Sequence, residues 1–483
     1  MCLMRECVLV YINGQRHEVS ERDAFLSLSD YLRLKLGLVG TKIVCSEGDC
    51  GACTVLVGRP DGERLKYQSV DSCILFLFQL DSTHIVTVEG LQQGAALTEV
   101  QQSMIDCHGS QCGFCTPGFV VALTGMLEYT SQLDEACLRY GLTGNLCRCT
   151  GYATILEAAT QVDGQRHSRI EKIYPSAQML KDFASSETDE IEVRAAWASE
   201  EHYLSSPTQI ESAVRFLEVH PDALIVAGAT DIGVRINKTR CVPAVILALN
   251  RLAAFDTVTV ENGQLIVGAG ARWTDVEAIC EEFVPELHHI LTLFGSPQIR
   301  NIGTIGGNIM NASPIADSLP FLHAMDATLE LCSAKGAREV DINDFYLGYK
   351  QLDLHSGELL TRIHVPLPSA DDRLRLYKVS RRRDLDISGF TAAINMRFSG
   401  DTIVDAAIAF GAVGPTVVRA RVTEQYLRGQ SFTEETMWAA GDFACKEIAP
   451  ISDVRGSAEY RLQLTRNVLL KYYHQTQVAA APA

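Results

Sequence analysis

The sequence lacks any apolar run long enough to span a membrane. Its longest, CILFLF at 73–78 and FVVALTGML at 119–127, fall well short of the roughly 20 residues that a spanning helix needs. Basic stretches are missing too. Apart from Arg381, Arg382 and Arg383 in SRRRD no run of positive charge occurs, and 42 Lys and Arg against 59 Asp and Glu leave a net charge of −17. A surface so acidic repels phosphate backbones and anionic lipid, so no nucleic-acid or membrane partner is expected. The opening MCLMRECVLVYING has no secretory design, because its charges interrupt the apolar stretch and no small-residue cleavage site follows. Cytoplasm is the expected location. There is no G-x-G-x-x-G fingerprint and no clear internal repeat. Beyond residue 149 cysteine is scarce, with only Cys241, Cys280, Cys332 and Cys445.

What is present is a dense N-terminal supply of thiols: the other twelve of the sixteen cysteines lie in residues 1–149. In a cytosolic chain such crowding reads as metal ligation rather than disulfide bonding. At 483 residues, with 47% apolar and 21% charged, the chain is an ordinary globular one with several domains. Residues 1–90 read as a small mixed sheet with one helix, LSLSDYLRLKLGL, and a hairpin about Asn13-Gly14. Residues 91–162 turn helical, with Thr116-Pro117 as a start signal ahead of GFVVALTGMLEY. Residues 163–204 are polar and without sustained periodicity, which predicts an interdomain linker. Residues 205–370 alternate strands and helices, 371–476 form a further α+β segment, and the VAAAPA tail is expected to fray.

Two cysteine quartets stand out. In VCSEGDCGACTV, Cys45, Cys50 and Cys53 are spaced C-x4-C-x2-C, and Cys73 follows 19 residues on. This is the plant-type [2Fe-2S] spacing. Two bridged irons need four thiolates converging on a small volume, and Gly48 and Gly51 permit the positive φ angles that turn amides toward the sulfurs. The second quartet, Cys112, Cys115, Cys147 and Cys149, lies in QCGFCTPG and LCRCTGY. Tetrahedral zinc and a second [2Fe-2S] cluster both suit these pairs, and the plant-type loop beside them favours iron. Cys2, Cys7, Cys107, Cys137 and the four C-terminal cysteines have no partner at ligand spacing and read as buried or incidental thiols. A third constellation pairs AGATD at 227–231 with NIGTIGGNIMNASPIADSLP at 301–320, where small residues let backbone approach a diphosphate and offer it N–H groups.

The two quartets, in this order and spacing and with Gln111 before the second, resemble the iron–sulfur half of the xanthine dehydrogenase and molybdenum hydroxylase family. The likeness extends over almost the whole chain. It implies an α+β multidomain fold: a β-grasp [2Fe-2S] ferredoxin domain, a four-helix-bundle [2Fe-2S] domain, and a vanillyl-alcohol-oxidase-type FAD-binding domain with a C-terminal α+β subdomain. By the same resemblance, Ile225, Val226, Ala227, Gly228, Ala229, Thr230, Asp231 and Ile232 wrap the FAD diphosphate. Thr304, Ile305, Gly306, Gly307 and Asn308 form its second loop, and Asp317 binds polar groups of the cofactor. Phe294, Leu359 and Lys378 match further flavin positions, and Tyr349 falls near the nicotinamide-binding face. Read without the family, Phe294 and Leu359 pass as core and Lys378 as a surface lysine.

The chain resembles the small, electron-transferring subunit of bacterial-type members. A molybdenum-cofactor domain would need several hundred more residues, so the resemblance implies molybdopterin on a large partner subunit, in an α2β2 heterotetramer. Xanthine or hypoxanthine would be oxidised there, and electrons would run through the two clusters to FAD and then NAD+. No side chain of this chain is expected to serve as acid or base. Another molybdenum hydroxylase, acting on an aldehyde or an N-heterocycle, is the nearest alternative, and a zinc-structured or redox-sensing regulator is a more distant one.

Overall fold

Asn13 and Gly14, with φ of 49° and 80°, make the two-residue turn whose twist matches its flanking strands, and they set the register of Cys7–Ile12 against Gln15–Ser20. The computed structural model describes residues 4–479 apart from Gln93, Ala95 and Ala198. Cys2 and the end of the VAAAPA tail lie outside the described residues. In the first sheet the strand order is Gln15–Ser20, Cys7–Ile12, Thr83–Val86, Thr54–Asp61, Arg64–Asp71. Cys7–Ile12 runs parallel to Thr83–Val86 and the other pairs are antiparallel.

Alternate residues of a strand face opposite sides of its sheet. Val8, Val10 and Ile12 therefore enter one core with Leu28, Leu32, Cys53 and Cys73, while Leu9 and Tyr11 enter another with Phe119, Val120 and Leu123. The second core is shared with the helical domain, whose helices are Glu99–Asp106, Thr116–Leu127, Glu135–Gly141 and Ala153–Gln161. Thr116–Leu127 starts with Pro117 in its first turn and is buried on nearly every side. The expected helix at LSLSDYLRLKLGL is shorter than its pattern suggested. Ser27 caps one α-turn, Leu28–Asp30, and the chain then widens into a π-turn at Tyr31–Lys35, closed by the Leu36 N–H to Tyr31 carbonyl bond of 3.2 Å.

The expected linker at 163–204 is corrected by the structure. It carries helices Ile170–Ile173 and Ala177–Ala184 and the strand Glu190–Trp197, followed by Glu200–Ser206. Met179 and Phe183 drop into the shared core, and Phe183 meets Tyr11 edge-on at 5.7 Å. Glu190–Trp197 pairs in parallel with Met4–Arg5, in a sheet completed by Val245–Ala248 and Leu224–Val226. Asp81, with a fully buried carboxylate, joins these parts. It accepts from Arg5 Nη1 and Nη2 at 3.0 and 2.8 Å and from the Leu9 N–H at 2.8 Å, and Arg251 Nε lies 3.1 Å away.

The chain forms two units, residues 1–253 with 296–303, and residues 254–295 with 304–483. The second unit contains a sheet ordered Val258–Glu261, Gln264–Gly268, Leu359–Pro366, Thr328–Ser333, Gly336–Asp341. Its C-terminal part is a sheet of Asp372–Val379, Phe390–Ser399, Thr402–Gly411 and Val418–Arg419, packed by helices Arg421–Leu427, Glu434–Glu447 and Ala458–Ala479.

Removing a buried carboxylate leaves two cations without their partner, at a cost of roughly 3–5 kcal/mol. Asp81→Ala is expected to lose stability on that scale in urea titration, whereas a loss below about 1 kcal/mol, the usual value of an exposed pair, would show that Arg5 and Arg251 do not depend on it.

Candidate functional site: two thiolate loops and two glycine-rich loops

The first loop wraps back on itself through left-handed residues: φ is 57° at Ser46, 71° at Gly48 and 66° at Gly51. That curl brings all four thiols of the first quartet together. The Cys45 sulfur is held well below the usual thiol range by hydrogen bonds from Cys50 and Cys73, assisted by the amides of Glu47 and Asp49. The Cys73 thiol is pushed up, because it donates to Cys45 and Cys53 and is buried. Amides aimed at sulfur are what a thiolate-ligated iron centre uses to stabilise added charge.

The second quartet gathers from two helix ends. Cys115 immediately precedes helix Thr116–Leu127, and Cys147 and Cys149 lie in the loop ahead of Ala153–Gln161. Cys149 Sγ lies 3.5 Å from Cys112 Sγ. Burial, then a hydrogen bond with Cys147, raises the Cys115 thiol to about 12. The Phe114 amide holds Cys112 below its ordinary value. Burial opposes ionisation of Cys147, yet hydrogen bonds led by the Thr150 hydroxyl, 3.2 Å away, bring it down. Among the described residues no three His, Cys, Asp or Glu side chains form a group that could hold a single metal ion. In the first quartet Cys45 meets Cys50 and Cys73, and Cys73 also meets Cys53; in the second Cys112 meets Cys149 and Cys115 meets Cys147, so each quartet offers the four thiolates that a two-iron cluster shares. The donor set of each quartet therefore fits a [2Fe-2S] cluster. Cys53, Cys73 and Cys147 are buried and Cys112 and Cys149 exposed.

The two loops touch through backbone. A Cβ on Gly51 would lie 2.3 Å from the Gly144 carbonyl oxygen, and one on Gly118 would lie 2.1 Å from the Gly51 oxygen. The Leu146 N–H donates to the Cys50 carbonyl at 3.0 Å. The Gly51 oxygen accepts from Thr54 Oγ1 at 2.7 Å and from Asn145 Nδ2 at 3.1 Å. Of the remaining thiols, Cys107 points at Gln161 Oε1, 3.2 Å away, and Cys445 at the Leu462 carbonyl, 3.3 Å away.

The glycine-rich loops belong to different units. In the first, Ile225 and Val226 end a strand, Ala229 is held left-handed at φ 59°, and Ile232 opens helix Ile232–Thr239. A Cβ on Gly228 would lie 2.1 Å from the Ile302 carbonyl. Strained backbone of this kind concentrates at ligand sites. In the second unit, the Thr304 hydroxyl accepts from the Gly307 N–H at 3.1 Å. The amides of Ile305, Gly306 and Asn308 donate to the carbonyls of Ala271, Ala269 and Thr304 at 3.1, 3.0 and 3.1 Å. All four amides have internal acceptors, so this loop suits a cofactor by close backbone approach rather than by amide donation. Gly306 is needed for packing within the protein, since a Cβ there would lie 2.4 Å from the Ala269 oxygen.

Asp317 and Lys378 do come together, but as a buried ion pair with side-chain exposures of 7% and 3%. Ser388 Oγ donates to Asp317 Oδ1 at 2.5 Å. Lys378 Nζ donates to Asp317, to the Asp386 carbonyl and to Ser388 Oγ, which occupies all three ammonium protons. Lys378 is thus no surface lysine. Phe294 is half-buried and meets Trp273 edge-on at 5.0 Å, Leu359 is buried in strand Leu359–Pro366, and Tyr349 is exposed. Sequence reasoning missed Ser296–Gly303, a segment of the first unit flanked on both sides by the second. From it Gln298, fully buried, donates to Asn145 Oδ1 at 2.9 Å. The stretch reads SPQIRNIG, and nothing in that mixed composition marks Gln298 as buried.

Four family models match successive parts of the chain. They are a 2Fe-2S iron-sulfur cluster binding domain at 10–76, a [2Fe-2S] binding domain at 87–160, the FAD binding domain in molybdopterin dehydrogenase at 199–368, and the CO dehydrogenase flavoprotein C-terminal domain at 375–476. The xanthine dehydrogenase of Emericella nidulans is 29% identical over 97% of this chain, which spans only 38% of that protein's length. Carbon monoxide dehydrogenase from Hydrogenophaga pseudoflava superposes with a TM-score of 0.54 at 29% identity, covering 58% of this chain and 98% of that one. Quinoline 2-oxidoreductase from Pseudomonas putida 86 gives 0.53 at 26% identity, over 57% and 96%. The chain therefore has two [2Fe-2S] domains and an FAD-binding domain with its C-terminal subdomain, the fold class that the resemblance implied.

Gly51→Ala is expected to lose most bound iron, measured by iron analysis and visible absorbance. Gly62 has a similar φ of 62° but open space around its Cβ, so Gly62→Ala is expected to keep its iron. Equal iron in both variants would remove the close approach at Gly51 as a requirement.

Proposed function

We propose that the chain, whose successive parts match two [2Fe-2S] domains, the FAD binding domain in molybdopterin dehydrogenase and the CO dehydrogenase flavoprotein C-terminal domain, is the electron-transfer subunit of a xanthine dehydrogenase of the molybdenum hydroxylase family. In this reading it receives electrons from a molybdopterin-binding partner subunit, in an α2β2 assembly, and delivers them to NAD+ during oxidation of hypoxanthine and xanthine to urate. When bound, the two clusters supply one-electron transfer and the flavin converts it to two-electron hydride chemistry.

The chain's own residues hold and space these groups. Cys45, Cys50, Cys53 and Cys73 hold the first cluster, and Cys112, Cys115, Cys147 and Cys149 the second. For the FAD, Ile225–Ile232 is assigned to the diphosphate, Thr304–Asn308 to the second loop, Asp317 to polar groups of the cofactor, and Phe294, Leu359 and Lys378 to further flavin positions. Cys112 and Cys149 are exposed, and Phe114 between the quartet's first two thiols is 52% exposed, so the second quartet presents an edge that an electron donor can reach. The observation that carries the reading is the direct backbone contact between the two quartets, which suits a relay and has no use in a pair of independent structural metal sites.

A second reading keeps the relay and changes the substrate. Its support is the likeness to carbon monoxide dehydrogenase and quinoline 2-oxidoreductase at identities close to that of xanthine dehydrogenase. The two separate in one assay. The chain, copurified with its molybdopterin-binding partner, is expected to reduce NAD+ when given xanthine. Reduction by an aldehyde or N-heterocycle alone would move the assignment to the second reading. A colourless preparation without iron or flavin would remove both.

A further inference from the structure

Asn145 is 2% exposed and lies two residues before Cys147, yet its side chain belongs to the other thiolate loop. Its Nδ2 donates to the Gly51 carbonyl at 3.1 Å and to Thr54 Oγ1 at 3.3 Å. Gly51 directly follows Cys50, and Thr54 directly follows Cys53. Which way the amide points is settled by the Gly51 carbonyl, which can only accept and so faces Nδ2. Gln298 Nε2 then donates to Asn145 Oδ1 at 2.9 Å. One residue later in the chain, the Leu146 N–H donates to the Cys50 carbonyl at 3.0 Å. Two consecutive residues of the second loop thus grip two consecutive carbonyls of the first. Every group in the arrangement is in the first unit.

We propose that Asn145, oriented by Gln298, is a positioning residue that holds the two thiolate loops at one fixed separation and orientation for electron exchange between them. The inference rests on the reading that both quartets hold [2Fe-2S] clusters. What passes between the quartets is one electron at a time, lost by one iron centre and gained by the other, with no bond formed or broken. The side chain therefore contributes geometry alone. Asn145 and Gln298 both act at the Gly51 joint, where three glycines have removed the side chains that would otherwise hold the backbones apart. Without side chains there, shape cannot define the register, and directional hydrogen bonds must do so.

The test uses the full chain with its clusters. Asn145→Leu removes both donors and the acceptor. Asn145→Asp keeps the shape and the acceptor for Gln298 but, as a carboxylate, has no proton for Gly51. In each variant iron content is measured first. The magnetic splitting between the two reduced clusters is then read by electron paramagnetic resonance, and the rate at which an electron equilibrates between them is followed after pulse reduction. With iron retained, the splitting is expected to change and the exchange to slow by about tenfold or more, the scale on which small misplacements act. If Asn145→Leu fails to retain iron, Asn145→Asp decides. Wild-type splitting and wild-type exchange in an iron-replete variant would overturn the proposal. Absence of iron from the wild-type chain would instead overturn the reading on which it rests.

Discussion

The carbonyl of Gly51 is where the N-terminal half of the structure is constrained most severely. Two thiolate loops from different domains meet there backbone to backbone, with Gly118 on one side and Gly144 on the other, and no Cβ fits at any of the three positions. Association and register have different sources. The domains are pressed together by the shared core of Leu9, Tyr11, Leu56, Phe119, Val120 and Leu123. Each such side chain contributes about 1.5–3 kcal/mol on burial, against about 0.5–1.5 kcal/mol for a hydrogen bond. Apolar packing thus dominates the energy. It is nearly indifferent to small slides of one surface over another, and the bonds to Cys50 and Gly51 are not.

The chemistry of the candidate site was legible in the sequence wherever it depends on local spacing. The C-x4-C-x2-C, C-x2-C and C-x-C groups, the Asn13-Gly14 turn and the Pro117 helix start are each encoded within a few residues. The strand Glu190–Trp197 was also written locally, with Ile191 and Val193 alternating inward, but surrounding charge hid it inside an apparent linker. What could not be read is what depends on partners far away in the chain. Asn145 and Gln298 are 153 residues apart, and Asp81 and Arg251 are as remote from each other in sequence. Nothing in NLCRC announces that its asparagine serves the other loop. The amides at Ile305–Asn308 failed differently: a glycine-rich loop signals that backbone comes close to something, and here much of what it approaches is the protein's own carbonyls.

Lys378 and Asp317, expected separately as cofactor contacts, are joined to each other in the structure. Asp317 follows the glycine-rich loop and its helix, whereas Lys378 and Ser388 belong to the C-terminal subdomain. A buried ion pair is weak as a source of stability, since desolvation offsets much of its attraction, but breaking it strands a charge. It therefore works as a specific latch. The same segment is fastened again by the Ala412 N–H to the Pro314 carbonyl at 2.8 Å, and a Cβ on Gly411 would lie 3.3 Å from Pro320 Cγ and 3.4 Å from the Pro314 carbonyl oxygen.

The two glycine-rich loops consequently have different mechanical characters. Ile225–Ile232 leans on its own unit through Gln79 Nε2, which donates to the Ala227 carbonyl at 2.8 Å, and through the tight fit of Gly228 on Ile302. Gln79 comes from the segment that follows Cys73, so this glycine-rich loop is tied by a single side chain to the stretch of chain next to the fourth thiol of the first quartet. Thr304–Asn308 is instead completed by hydrogen bonds to Ala269 and Ala271 and secured downstream by the C-terminal subdomain. A chain that must keep electron carriers within tunnelling reach of one another gains from such redundancy, because a loop fixed at several independent points reorganises little when charge arrives. Attachment at several points is what these side chains give the two loops.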